Sequence, residues 1–356
     1  MNPSKSRVTL KDIAQKCGYS VNTVSRALRS DTGLPKETVD KIQATAREIG
    51  YIRNNLASTL RSGKSNVVAI VIEDLQNQHY SWLLHRLSRL LSANGYQVMI
   101  LMNRTASNAS STQQAEEDTL QVVSYAISHA VDGVLCFPPK GSAPAAAALQ
   151  KNNIPLVLID REIDGISADI VRVDDYEGGR LAANILYDLG HRKIAYVEGP
   201  KNNGSQILRE RGFLEVLAEK GIKKEEVLLL PHRAVMQSVE QQTLDELLFP
   251  VDYTAIFSFN DQMAYYVVNC LMENGIRIPA DVSVLGFDNI HSRFPYMKPL
   301  STIAEQNDTG MAEEAVRLLL ERIAEPDLPP RSVILPAAYY DAGTVTSPSG
   351  EDKNAG

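Results

Sequence analysis

Apolar residues recur at helical spacing near the start of the chain and give way later to strand-length blocks. Ile13, Ala14 and Cys17 mark one face of a helix that begins at Leu10 and that Thr9 can cap. Gly18 is placed to end it, as a glycine just past a last turn does. Ser20 then caps a second helix, with Val24, Ala27 and Leu28 on its inner face. A third starts near Pro35, which suits a first helical position, and carries Val39, Ile42, Ala46 and Ile49 as its buried stripe. Two short helices joined by a glycine-containing turn predict a helix–turn–helix. The following NNLASTL, residues 54–60, is too short to be a stable helix alone.

From Val67 the pattern changes to alternation of strands and helices. VVAIVI, VMILM, VLCF, PLVLI, IVRV, IAYVEG, VLLL, AIFSF and VSVLGF are separated by helical stretches. This predicts parallel sheets flanked by helices, in two doubly wound subdomains of about 100–150 residues each. Blocks such as Val67–Ile72 are strand-sized and cannot span a bilayer, so no membrane partner is expected. The two glycines of EGGRLAA, residues 177–183, read as tight helix–strand packing.

Charge divides the chain the same way. Residues 1–66 carry 12 Lys+Arg against 5 Asp+Glu, whereas the rest carries 24 against 38. A basic head on an acidic body is the electrostatic footprint of nucleic-acid binding confined to one module. Cys17, Cys136 and Cys270 lie far apart in apolar surroundings, with no metal-ligand spacing, and fit reduced buried thiols in a cytoplasmic protein. MNPSKSRVTL has no apolar h-region and predicts no secretory signal. The polar tail, residues 347–356, reads as disordered.

In a helix–turn–helix the second helix presents its N-terminal side chains to the major groove. Here those are Val21, Asn22, Ser25 and Arg26. Asn pairs bidentately with adenine, Arg with guanine, and Val suits a thymine methyl. Thr9, Ser20 and Thr23 suit phosphate oxygens, which fix register rather than sequence.

VTLKDIAQKCGYSVNTVSRAL followed by REIGYIRNNLASTLRSGKS resembles the lactose/galactose-repressor (LacI/GalR) family of bacterial transcription regulators. The resemblance runs through LSTI near residue 303. It implies that residues 54–61 form a hinge helix that folds on operator DNA, with Asn54, Asn55 and Ala57 in the interface. Leu60 would then be wedged into the minor groove, a role physically suited to an exposed leucine. Arg53 stands where the family usually has Pro.

The resemblance also implies the type I periplasmic-binding-protein fold, with a small ligand in a cleft between two subdomains. The expected division is a DNA-binding domain at 1–53, hinge and linker at 54–66, and an effector-binding and dimerisation core at 67–346. Its subdomains would be 67–164 with 292–326, and 165–291 with 327–346. Ligands of parallel α/β sheets bind outside the carboxyl ends of the strands. The loops there carry His79 and Tyr80, Asp160 and Arg161, Asn203, Ser205 and Arg209, Asn260 and Asp261, and Asp288. In the family the residues matching Arg209 and Asp288 hydrogen-bond the effector; a guanidinium fork and a carboxylate suit vicinal hydroxyls. Gln78 replaces the usual Pro in the first of these loops.

Enzyme readings find little support. The chain has no GxGxxG, G-x-S-x-G, P-loop or HExxH, and its six histidines are scattered. Asp174, Asp175 and Glu177 read as dipole partners of a helix start. No cofactor or metal is expected. The prediction is a homodimeric repressor of operator DNA, answering to a small molecule, most simply a sugar. A phosphocarrier-protein co-regulator is a further partner open at this stage. The tail lacks the apolar heptads that would tetramerise it. The alternative is a sugar-binding protein or enzyme of the same α/β fold, with the head as an accessory.

Overall fold

The computed structural model describes residues 8–28, 33–52, 64–73, 75–103, 111–139, 141–201, 203–231, 248–307 and 310–348. They form two compact units, divided between Ser65 and Asn66. The expected hinge residues Asn54, Asn55, Ala57 and Leu60, with Arg53, lie outside the described residues.

The first unit holds α1 (Leu10–Cys17), α2 (Val21–Ala27) and α3 (Lys36–Glu48). Ile13, Cys17, Val24, Ala27, Ile42 and Ala46 are buried together, and Val39 and Ile49 pack against them. Gly18 adopts φ +78° and closes α1 through its N–H to the Ala14 carbonyl. Pro35 sits one place earlier than expected: it is the N-cap, and Lys36 opens the helix.

The second unit contains two six-stranded sheets. In chain order its elements are β1 (Val67–Ile72), α4 (Gln78–Ala93), β2 (Gln97–Met102), α5 (Thr112–Ser128), β3 (Gly133–Cys136), α6 (Ala143–Lys151), β4 (Leu156–Ile159) and β5 (Asp169–Val173). Next come α7 (Asp175–Asp188), β6 (Ile194–Val197), α8 (Gly204–Glu219), β7 (Leu228–Leu230), β8 (Ala255–Ser258), α9 (Asp261–Glu273), β9 (Ser283–Phe287) and α10 (Ile290–Arg293). The last are β10 (Thr302–Glu305), α11 (Gly310–Ala324), β11 (Ser332–Leu335) and β12 (Ala337–Tyr340). The first sheet runs β11-β5-β4-β3-β1-β2, all parallel. The second runs β12-β10-β9-β8-β6-β7, parallel except for β12 on β10. Central strands such as β3, β4, β6, β8 and β9 are buried along their length, as strands covered by helices on both faces must be.

Sheet membership corrects the expected subdomain boundaries. β5 pairs with β4 and so stays in the first subdomain, although 165 onward was assigned to the second. β10 pairs with β9 in the second, although 292–326 was assigned to the first, and β11 pairs with β5 in the first, although 327–346 was assigned to the second. The chain crosses only after each strand is paired: after β5 at Asp174, after β10, and after β11 at Pro336. These crossings are laced together. The Asp174 N–H donates to the Leu335 carbonyl at 2.9 Å, and the Gln306 N–H to the Pro336 carbonyl at 2.8 Å.

EGGRLAA does more than pack a helix on a strand. A Cβ at Gly178 would meet the Phe287 ring of β9 at 2.7 Å, as helix–strand packing requires. A Cβ at Gly179 would sit 2.1 Å from the Arg209 carbonyl, and one at Gly212 would sit 2.2 Å from the Tyr176 carbonyl. Bare backbone therefore lets α7 and α8 approach closely. Among the described residues no helix is long and apolar enough to cross a membrane, and Cys17, Cys136 and Cys270 are buried thiols outside any disulfide.

Candidate functional site

The carboxyl ends of both sheets meet a cavity of about 710 Å³. From the first subdomain Asp160 and Arg161 line it, together with Arg172 on β5; from the second, Asp175 and Ser205 do. Asp160, Arg161 and Ser205 were expected there. The other expected residues, including Arg209 and Asp288, are not in its wall.

Arg209 lies just behind, joined to the wall through Asp175. Its Nε donates to Oδ1 of Asp175 at 2.7 Å, and its Nη1 to the Phe259 carbonyl at 2.7 Å. Its Nη2 stands 3.7 Å from Oδ1 of Asp288, and its guanidinium carbon lies 3.5 Å from the Phe287 ring centre. Burial pushes the Asp288 carboxyl up to about 7, against the pull of Arg209 and with a further push from Asp160. Burial likewise raises Asp175, opposed by Arg209. Two carboxylates thus share one buried guanidinium, and desolvation outweighs the attraction for both.

Asp160 and Asp288 follow β4 and β9 with φ +75° and +109°. Such backbone costs about 1–3 kcal/mol per residue and persists only where surroundings hold it. Tyr80 helps hold the first: its hydroxyl donates to Oδ2 of Asp160 at 2.8 Å. The second is braced by Asp261, whose Oδ2 accepts the Ile290 N–H at 2.8 Å and whose Oδ1 accepts the Thr302 hydroxyl at 2.7 Å. Only glycine fits beside it, since a Cβ at Gly286 would lie 2.0 Å from Oδ1 of Asp261.

His79 spans the two subdomains. Its Nδ1 lies 2.8 Å from Nη1 of Arg293, on α10. Arg is always a donor, so Nδ1 accepts and the ring is neutral with its proton on Nε2. Burial, then Arg293 and Arg209, hold the imidazole well below its usual titration range. The Arg293 guanidinium also lies 4.0 Å over the Trp82 ring.

Two expected ligands are occupied otherwise. Asn203 accepts the Gln206 N–H at 3.2 Å and Asn260 the Met263 N–H at 2.9 Å, so both cap helices. Two residues with buried side chains at this site were missed, Asp175 and Arg293, and Asp261, expected only as a loop residue beside Asn260, is the brace behind Asp288. The adjacent pair Asp174–Asp175 held the signal for the first, because only Asp174 caps α7, through the Glu177 N–H.

In the other unit, α2 turns Val24 and Ala27 inward, leaves Val21 and Asn22 exposed, and leaves Thr23, Ser25 and Arg26 half-buried. Ser20 caps the helix, its Oγ accepting the Thr23 N–H at 3.1 Å and lying 2.8 Å from the Thr23 hydroxyl. Thr9 donates its N–H and hydroxyl to Oδ2 of Asp12 at 2.7 and 2.8 Å. These contacts fix the helix starts and leave the first turn of α2 facing outward.

Residues 9–54 match the bacterial regulatory proteins of the lacI family, and residues 183–344 a periplasmic binding protein-like domain. The transcriptional regulator DegA of Bacillus subtilis is 28% identical over 302 residues, covering 84% of this chain and 87% of that protein. A Lac repressor structure bound to ONPG in the repressed state is similar over 96% of this chain and all of that one, at 25% identity and TM-score 0.78. A regulator of Enterococcus faecium with bound ribose is similar over 79% of this chain and 99% of that one, at 27% identity and TM-score 0.68.

Proposed function

The chain belongs to the LacI family of bacterial regulatory proteins, and we propose that it is a transcription repressor whose operator affinity answers to a small sugar-like effector bound in the core cavity. One observation carries this reading. A helix–turn–helix with an outward recognition face shares a chain with a two-sheet core whose cavity is walled from both subdomains. The relatives regulate transcription, and the role here is regulation rather than catalysis. Two copies would place two heads on a pseudo-palindromic site in the cytoplasm. A phosphocarrier protein as co-regulator belongs to the same reading as a secondary partner.

The crossings after β5, β10 and β11, laced at Asp174, Gln306 and Pro336, give the subdomains a common hinge. An effector that bridges them shifts the equilibrium between the two arrangements by the difference in its binding free energy for them, and by nothing more. Typical couplings of about 1–3 kcal/mol change operator affinity about 5–150-fold, and operator must change effector affinity by the same factor. Asp160, Arg161 and Ser205 are proposed to touch the effector. Arg209 and Asp288 are proposed to act from behind Asp175, and Tyr80 and His79 by holding Asp160 and Arg293.

The test begins with DNA selected from a random pool by the full chain, which supplies the operator. Fluorescence anisotropy then follows operator binding with and without ribose, cellobiose and their phosphorylated forms. A sugar-dependent change in affinity is expected. Failure to enrich any sequence would sink the DNA-binding reading, and enrichment with no response to any sugar would sink the effector class.

A further inference from the structure

The cavity wall holds a concentration of positive ends. Thr112, Ala143, Asp175 and Gly204 line it, and each is the first residue of a helix, respectively α5, α6, α7 and α8. Helix N-termini carry partial positive charge and unpaired N–H groups. Ser142, the cap position of α6, gives no side-chain hydrogen bond to that helix, because its hydroxyl donates to the Pro139 carbonyl instead.

Two arginines on the wall have spare capacity. Arg161 stands 4.0 Å from Glu73 and Arg172 stands 3.7 Å from Glu162, both beyond hydrogen-bond reach. The Nε of each is without a hydrogen-bond partner. Ser205, the second residue of α8 and 97% buried, sets its hydroxyl beside Asp175 and helps to hold that carboxyl down. The wall's acids are differently placed. Asp160 is engaged by Tyr80 and Asp175 by Arg209, while Glu162 and Asp164 lie exposed at the rim. Glu116 on α5 remains able to accept from a hydroxyl.

We propose that the effector is a small polyol bearing one anionic group, a carboxylate or a phosphate, seated against Arg161, Arg172 and Ser205. This rests on the reading of the cavity as the effector site and narrows its ligand class. The guanidinium forks match the planar carboxylate or the phosphate oxygens. Glu116 takes a hydroxyl of the same molecule.

Isothermal titration of the full chain with inorganic phosphate, and separately with acetate, at ionic strength fixed by chloride, reads the anion subsite directly. Saturable binding of at least one is expected, weakened about tenfold or more by Arg172→Gln and by Arg161→Gln, since each removes a charged fork. The stronger of the two anions names the source, phosphate ester or carboxylate. Where Arg172→Gln melts before the titration, Arg172→Lys replaces it, keeping charge without the fork, and partial binding is expected. No saturable binding of either anion, or binding that the variants retain in full, overturns the proposal. Ribose that shifts operator affinity while neither anion binds would leave the effector reading standing and this inference fallen. Arginine-dependent anion binding, with operator affinity indifferent to every phosphorylated sugar and sugar acid tried, would leave the subsite standing and the effector reading fallen.

Discussion

Arg209 donates its Nε–H to Oδ1 of Asp175 across 2.7 Å, tying the second turn of α8 to the first residue of α7. Both side chains are nearly fully buried. Removing one partner of such a pair leaves a buried charge uncompensated and costs about 3–5 kcal/mol. Asp288, at 3.7 Å, offsets part of the loss. Asp175→Asn is therefore expected to destabilise the core by about 3 kcal/mol in urea denaturation, and to weaken any effector response. Unchanged stability would show that the pair is no anchor.

Glycine at 179 is a condition of that contact, because any Cβ there would collide with the Arg209 backbone. Overpacking of this kind costs about 1–3 kcal/mol. Gly179→Ala is expected to lose that much and to displace Arg209 from Asp175. Gly204→Ala is the control on α8, the helix that carries Arg209, where a Cβ meets nothing within 4 Å and stability should hold or rise slightly. Equal behaviour of the two variants in thermal melting would refute the close-approach argument.

How much of this was legible in the sequence depended on distance along the chain. Local signals carried far: Gly18, Ser20 and the Ile13–Cys17 stripe marked the head, and the alternation from Val67 marked the parallel sheets. The loops after strands also held Asp160, Arg161 and Ser205. Long-range pairing was hidden. Asp175 looked like another dipole partner because its guanidinium lies 34 residues away, and Arg293 meets His79 across 214 residues. The short strands β10 to β12 change sheets at single crossings, and hydrophobic pattern cannot say which sheet a four-residue strand will join. Asn203 and Asn260 sit where ligands are expected, yet a cap position satisfies the same residue type with no ligand at all.

Asp288 and His79 make the core's stability depend on pH in opposite senses. An unfolded aspartate titrates near about 3.9, whereas folded Asp288 is pushed up to about 7. Between those values the folded state binds more protons than the unfolded one, so stability falls as pH rises through the window. Asp288→Asn should abolish that slope and stabilise the unliganded protein at pH 8 by roughly 1–2 kcal/mol, less than the full shift because Arg209 loses one carboxylate. A variant less stable than the parent at pH 8 would show that the ionised carboxylate is net favourable.

For His79 the folded imidazole titrates well below its unfolded value, so the folded state binds fewer protons as the medium is acidified. Its contribution is intact above about pH 6.5 and declines below it. His79→Gln keeps an acceptor for Arg293 without a titrating ring and should remove the acid-side loss. Nitrogen NMR supplies the direct check: at neutral pH the His79 Nδ1 should resonate as the unprotonated nitrogen. A protonated Nδ1 would contradict the hydrogen bond with Arg293.

In the head, the division of labour on α2 separates two kinds of mutant. Ser20 spends its hydroxyl on the Thr23 N–H, so Ser20→Ala removes a cap worth about 1 kcal/mol and should weaken binding to all DNA alike. Asn22 is exposed in the first turn, where a side chain can reach base edges. Its loss should cost about 1–3 kcal/mol on the cognate duplex and nothing on a scrambled one. Anisotropy titrations on both duplexes, at one fixed salt concentration, distinguish the cases. Equal losses for Asn22→Ala on the two duplexes would reduce it to a phosphate contact, and sequence reading would then fall to Val21, Ser25 and Arg26 on the same outward face.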